Sequence, residues 1–382
     1  MPAAGRLATA DVAFWQHSSP PAAAGDASNT RIALSDCGRE LNLGGWSRLR
    51  RPVVPIVAAG RTFAEIRPVP STTITGGVAV VPPGWLGAIS GTLALAIGVL
   101  VLLSRRRAIS QTTLLAAWWW TLAALVLWSL VEIAAAVVSP VENKAWLEPL
   151  RLAAVALSFC PVVALIGAKR PQHSAWNFVV LSLWGIVALP AAEASFLNRG
   201  QRLEMGDARG WFLWILILLT PINLVPTRYW PSALLVAAGQ LVALSPYLPL
   251  IRRVLVSSAE LLGLVLCVAA LAIAWAFSRH ERRAANAYDR LWLDFRDSFG
   301  LFWGLRVQER VNAAARQSGW DFELTWSGFR QRNNSVPPTA IDPTIAPTLR
   351  TTFKGLLRRF VSPHWIAARL SGSPSTDLPP VG

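Results

Sequence analysis

The chain has 382 residues, 53% of them hydrophobic and 15% charged, with a mean hydropathy of +0.41. Soluble domains carry roughly 25% charged residues, so this composition excludes an ordinary water-soluble globular protein and points to an integral membrane protein. The formal net charge of +15 rests almost entirely on Arg in tails and short loops between apolar runs, a distribution that suits topology and lipid headgroups, not nucleic acid.

Residues 1–83 are rich in Ala, Pro, Gly and Ser and contain no apolar run of membrane length. They lack the charged start and short apolar core of a signal peptide and read as a disordered or variable tail. After Met1 the next Met is Met205. Translation from a non-Met codon near residue 80 would remove most of this tail.

Seven apolar segments follow, at 84–104, 112–138, 151–168, 174–197, 210–228, 230–250 and 254–278. Crossing a hydrocarbon core of about 30 Å takes about 20 helical residues, and only helices or closed barrels satisfy the backbone there. The expectation is an all-α bundle of about seven transmembrane helices over 84–278. Pro161 interrupts the third segment; Pro221, Pro226, Pro231, Pro246 and Pro249 predict kinks or breaks in the fifth and sixth. Arg105, Arg106 and Arg107 close the first segment and favour a cytoplasmic end there, which puts the N-terminus outside and the C-terminus inside. The Ala- and Arg-rich composition suits a bacterial cytoplasmic membrane.

Beyond 278 the chain becomes soluble in character. In 279–330, Tyr288, Leu291, Trp292, Phe295, Phe299 and Phe302 recur at helical spacing, with Gly300 and Gly304 weakening the helix midway. Trp320, Phe322, Leu324 and Trp326 alternate with polar residues, which predicts a short strand. Helix and strand together form a small amphipathic juxtamembrane module. A Pro-rich linker (331–346) leads into a basic amphipathic stretch, 348–361, with Arg350, Lys354, Arg358 and Arg359 around Leu349, Phe353, Leu356, Leu357 and Phe360. That pattern fits a helix on an anionic membrane surface.

Ionisable groups inside membrane segments point to function because burying them is expensive. Glu132, Glu193 and Glu260 all fall near one leaflet boundary, flanked by Arg151, Arg252 and Arg253. With Asn223 and Gln240 on Pro-broken segments they form a candidate path for protons or a cation. The competing reading is that each Glu reaches water or pairs with an Arg and only holds helices together. The face formed by Trp292, Phe295, Phe299 and Phe302 is the candidate docking surface for a protein partner, with the bilayer interface as the other possible cover.

No catalytic signature is present: there is no P-loop, GxSxG elbow or HExxH helix. His17, His173, His280 and His364 all avoid segment interiors, which disfavours haem; Cys37, Cys160 and Cys267 have no metal spacing. Asp294 and Asp297 resemble an ordinary charged helix face more than a Mg²⁺ site, and Trp118–Trp120 reads as lipid-facing or packing bulk more than a stacking platform. The expectation is a protein without metal or cofactor that acts as a scaffold, assembly factor or complex subunit. A secondary transporter using the intramembrane carboxylates is the alternative, and an intramembrane or lipid-modifying enzyme a third.

Overall fold

The computed structural model describes residues 83–138, 146–170, 173–196, 203, 205–251, 258–279, 284, 286–332 and 344–371. The expected N-terminal tail up to residue 82 lies outside the described residues, as do Cys37, Arg252, Arg253 and His280.

Apart from one hairpin, the described elements are helical. The apolar region holds α1 (Pro83–Ser110), α2 (Leu115–Val137), α3 (Leu147–Leu157), α4 (Cys160–Ile166), α5 (His173–Phe196), α6 (Asp207–Leu224), α7 (Trp230–Leu244) and α8 (Ala259–Arg279). Five stretches are long and apolar enough to cross a membrane: Trp85–Ser110, Leu115–Val137, Leu147–Ile166, Ala175–Phe196 and Ala259–Arg279. α6 and α7 do not reach that mark. Asp207 and Arg209 dilute the start of the 18-residue α6, and the 15-residue α7 tightens at Pro246 into a 3-10 turn over Ser245–Tyr247. The outward faces carry bare apolar side chains such as Leu100, Phe178, Ile186 and Ile215, all more than half exposed. A contiguous surface of this kind is stable against hydrocarbon, not against water.

The third apolar segment is split because Pro161 has no N–H to donate and crowds the turn before it. α3 ends in tight bonds from Ser158 N–H to the Val155 carbonyl (2.9 Å) and from Phe159 N–H to that of Ala156 (3.2 Å) before α4 begins. α7 and α8 touch backbone to backbone. A Cβ at Gly239 would lie 2.7 Å from the Gly263 carbonyl oxygen, and one at Gly263 2.6 Å from that of Gly239. Small residues permit such closeness where lipid supplies no hydrophobic drive between helices.

After the bundle come α9 (Ala287–Gln317), β1 (Phe322–Thr325), β2 (Gly328–Gln331), α10 (Ala346–Leu357) and α11 (Pro363–Leu370). The alternation at 320–326 falls on β1, with Phe322 and Leu324 turned inward. Gly328, which reads as a breaker, instead opens β2, antiparallel to β1 with Thr325 opposite Gly328. Asn312 on α9 pairs with the Leu324 backbone, accepting from its N–H (2.7 Å) and donating to its carbonyl (2.9 Å).

Helices α9, α10 and α11 and the hairpin close around one apolar core, in which Trp292, Phe295, Phe299, Phe329, Phe353 and Phe360 are essentially fully buried. Leu165 and Ala168, at the end of α4, belong to the same core. The C-terminal segments therefore sit on one end of the bundle, where their backbone pairs with its turns. Thr113 N–H donates to the Phe360 carbonyl (2.8 Å), Arg170 N–H to that of Arg359 (2.9 Å) and Ser362 N–H to that of Gln111 (2.9 Å).

Candidate functional site

Two polar regions in this fold could carry function: the carboxylate end of the bundle and its junction with the C-terminal segments. At the first, Glu132 on α2 accepts from the Arg151 guanidinium on α3 at 3.1 Å. Glu193 on α5 lies 3.4 Å from Arg209 at the start of α6, with both side chains well exposed. Glu260 is half-buried in the first turn of α8. The structure thus gives Glu132 and Glu193 separate arginine partners. Glu132 retains one unusual feature: its Oε1 is buried with no hydrogen-bond partner, as are Ser129 Oγ on the same helix and Gln240 Oε1 on α7.

Gln240 is fully buried and donates to Ser158 Oγ (3.0 Å) and to the Ser158 carbonyl (3.3 Å). It thereby serves the carbonyl left open where Pro161 breaks the α3–α4 helix. In an apolar interior such a carbonyl would otherwise be unpaired. The sequence places Gln240 on a polar path; in the structure its amide N–H serves Ser158 at the helix break, and its Oε1 is buried without a partner.

Asn223 lies at the other end, near the close of α6. Gly300 interrupts α9 with φ +75° and ψ −167°, a region open essentially only to glycine. Residues after it start a new helix, whose first N–H groups need acceptors. Asn223 Oδ1 accepts from Phe302 N–H at 3.2 Å. The approach is so close that a Cβ on Gly300 would sit 2.5 Å from the Asn223 amide. Asn223 is a helix cap supplied by a helix 79 residues away in sequence, and only the tertiary structure reveals that.

More contacts fasten the same junction. Trp303 Nε1–H donates to the Leu165 carbonyl (3.2 Å), and Trp326 Nε1–H to that of Pro226 in the α6–α7 turn (2.7 Å). Asp297, with no exposed side-chain surface, accepts from Arg296 (2.7 Å) and lies 3.4 Å from Arg228 Nε of that turn. Asp294 accepts from Arg369 of α11 at 2.8 Å, so both aspartates face guanidinium groups. Burial pushes the Arg369 pKa down, partly offset by Asp294.

Of the expected docking face, Trp292, Phe295 and Phe299 are covered by this chain's own hairpin and α10–α11 connection. Phe302 alone stays open, beside exposed Leu305. Leu349, Phe353 and Leu357 likewise face α9 and not lipid, which leaves Arg350, Lys354, Arg358 and Arg359 as an exposed basic outer face. The Trp118–Trp120 run points three ways. Trp118 donates to the Leu102 carbonyl (3.0 Å), Trp120 to Asn177 Oδ1 (3.2 Å), and Trp119 is half exposed.

Asp289 matters to the hairpin. Its carboxylate accepts from Phe329 N–H at 2.7 Å, and Gly328 leaves it room, since a Cβ there would meet it at 2.7 Å. Burial raises its pKa, opposed by the Phe329 N–H and the Asn286 side chain.

Comparison with protein-family models, curated proteins and solved structures finds no match. The functional reading therefore rests on the geometry. The five apolar helices support an integral membrane protein.

Proposed function

We propose that the chain is a seven-pass membrane scaffold, an assembly factor or complex subunit, that holds its C-terminal module in a fixed orientation on the cytoplasmic end of the bundle. The carrying observation is the junction: backbone pairing, two indole N–H bonds and the buried Asp297 pair tie α9–α11 to the α1–α2, α4 and α6–α7 ends. A unit anchored at that many points presents its surface at a defined angle, which suits a platform for a partner.

Seven passes are supported by which ends meet. The α1–α2 and α6–α7 connections and the end of α4 all contact the C-terminal segments, while Arg151–Glu132 and Arg209–Glu193 join helix ends at the opposite side. At about 1.5 Å per residue α6 is about 27 Å long, close to a hydrocarbon core of about 30 Å. Arg105–Arg107 lie at the module's end, which favours the cytoplasm for both. Gly355 faces open space on α10. With Cys37 replaced by Ser, its Gly355→Cys variant should react with an impermeant maleimide in inverted vesicles and not in right-side-out ones; the reverse labelling refutes the orientation.

The partner surface is the strip of Phe302 and Leu305 that the module leaves uncovered. A photo-crosslinking residue at 305 in the full chain in cells should yield one discrete protein adduct. Adducts to lipid alone would sink the docking reading.

A second reading, coupling of proton or cation movement to transport, is favoured by the buried unpartnered atoms Glu132 Oε1, Ser129 Oγ and Gln240 Oε1. Glu132→Gln preserves shape and removes the charge. Equal proton uptake by variant and wild type in proteoliposomes excludes it.

A further inference from the structure

Helices α1 and α8 run side by side, and α7 packs on α8. At the end facing the C-terminal segments these neighbours bring guanidinium groups together. Arg105, near the end of α1, donates to the Trp275 carbonyl in the last turn of α8 at 3.2 Å. Arg279 closes α8 and stacks on the same residue, its guanidinium carbon 3.7 Å from the Trp275 ring centre. Arg228, in the turn before α7, donates to the Tyr229 hydroxyl at 2.9 Å. Gly239 lies against Gly263 and Cys267, and Ala243 against Gly263, so α7 runs antiparallel to α8. Its start, with Arg228 and Tyr229, therefore stands at the Trp275 end, where both act electrostatically on Arg105.

Charge at this place is not balanced. Among the described residues Asp297 is the carboxylate that meets the group, and it is shared between Arg228 and Arg296. Neither Arg105 nor Arg279 has a carboxylate partner among the described residues. Among the described residues, four guanidinium groups against one carboxylate leave an excess of three positive charges. Like charges gathered at one place repel each other, and an anion among them relieves that repulsion. Both helices also carry exposed apolar side chains, Leu100 and Leu103 on α1 and Val265 and Phe277 on α8. A ligand that fits both parts has a negative head and a hydrocarbon tail.

We propose that Arg105, Arg228 and Arg279 form a binding site for the headgroup phosphate of an anionic phospholipid whose acyl chains lie along α1 and α8. Arginine suits this role because its planar fork matches phosphate oxygens. Trp275 orients two of the three groups, through its carbonyl and its ring. The site is distinct from the basic face of α10, whose arginines point outward from a different element.

The test uses the full chain, delipidated in mild detergent, with phosphatidylglycerol, phosphatidylcholine and inorganic phosphate added separately. Native mass spectrometry reads retained lipid, and the melting temperature reads stabilisation. Phosphatidylglycerol should be retained and raise the melting temperature, and the other two should do neither. Each basic contact near a lipid surface contributes on the order of 1 kcal/mol, so R105Q/R279Q should bind phosphatidylglycerol about thirtyfold more weakly. R279Q alone, at an exposed helix end where folding is not at stake, should weaken it about fivefold. The control R106Q/R107Q removes equal charge from the same helix and should change affinity less than about threefold. Equal stabilisation by inorganic phosphate would make this a plain anion site and overturn the lipid assignment, as would equal retention of phosphatidylcholine. Wild-type affinity in R279Q, or an equal loss in the control, overturns the site itself.

Discussion

Gly300→Ala tests the junction most directly. The substitution acts twice. It forces a side chain onto backbone at φ +75° and ψ −167°, a region that costs about 1–3 kcal/mol for other residues. It also drives a Cβ to 2.5 Å from the Asn223 side chain, which must move and release the part-buried Phe302 N–H, and the loss of such a bond costs about 1 kcal/mol. Together these predict a local destabilisation of about 2–4 kcal/mol. Hydrogen exchange at the Phe302 amide reads it: exchange should accelerate at least about thirtyfold, since each 1.4 kcal/mol is about a factor of ten. Asn223→Ala removes the acceptor without strain, and the double variant removes the overlap as well. If the two residues meet as described, the double variant loses less than the sum of the singles by about 1 kcal/mol or more; independent sites add within about 0.5 kcal/mol. Exchange within about threefold of wild type in Gly300→Ala, or strict additivity, would refute the reasoning.

Three further outcomes follow from the same geometry. Gln240→Leu leaves the Ser158 carbonyl and hydroxyl without their donor and should cost about 0.6–1.7 kcal/mol in a denaturant titration; a neutral result means that the helix break needs no repair. Gly263→Ala meets the Gly239 carbonyl at 2.6 Å and should cost about 1–3 kcal/mol by overpacking, read as a lower melting temperature, with an unchanged melt arguing against backbone contact of α7 and α8. Asp289 tests pH dependence. Burial raises its folded-state pKa above the ordinary carboxylate value, so its stabilising contribution is complete below that value and fades as pH rises through the folded one. The melting temperature of wild type minus that of Asp289→Asn should therefore fall as pH climbs from the carboxylate range towards neutrality. A difference that stays flat across that window contradicts the burial argument.

Much of the architecture was legible because its signals are local. Hydropathy over about 20 residues located the membrane helices, Pro161 marked the break in the third segment, and Gly300 marked the weak point of α9. Period-two alternation found β1, yet missed β2, because Gly-Phe-Arg-Gln at 328–331 carries no such pattern and becomes a strand only by pairing with β1. The short apolar stretches of α6 and α7 looked like their neighbours in hydropathy, and their observed ends at Leu224 and Leu244 leave them shorter than the five stretches of membrane length.

The site residues show where local reading stops. Their residue types were right to single out, since a buried Asn, Gln or Glu must find a partner. Which partner it finds is a property of distant chain. Asn223 caps α9, Gln240 serves Ser158, and Glu132 and Glu193 meet Arg151 and Arg209. By itself, then, the sequence determined the membrane class, the helical segments and the amphipathic stripes, because apolar spacing and breaker residues act within a few turns. Only the tertiary structure decided that the aromatic stripe of α9 and the apolar stripe of α10 cover each other, and that arginines of α1, α8 and the α6–α7 turn converge. The physical reason is that an apolar face specifies that it must be buried, while packing between elements far apart in sequence decides against what.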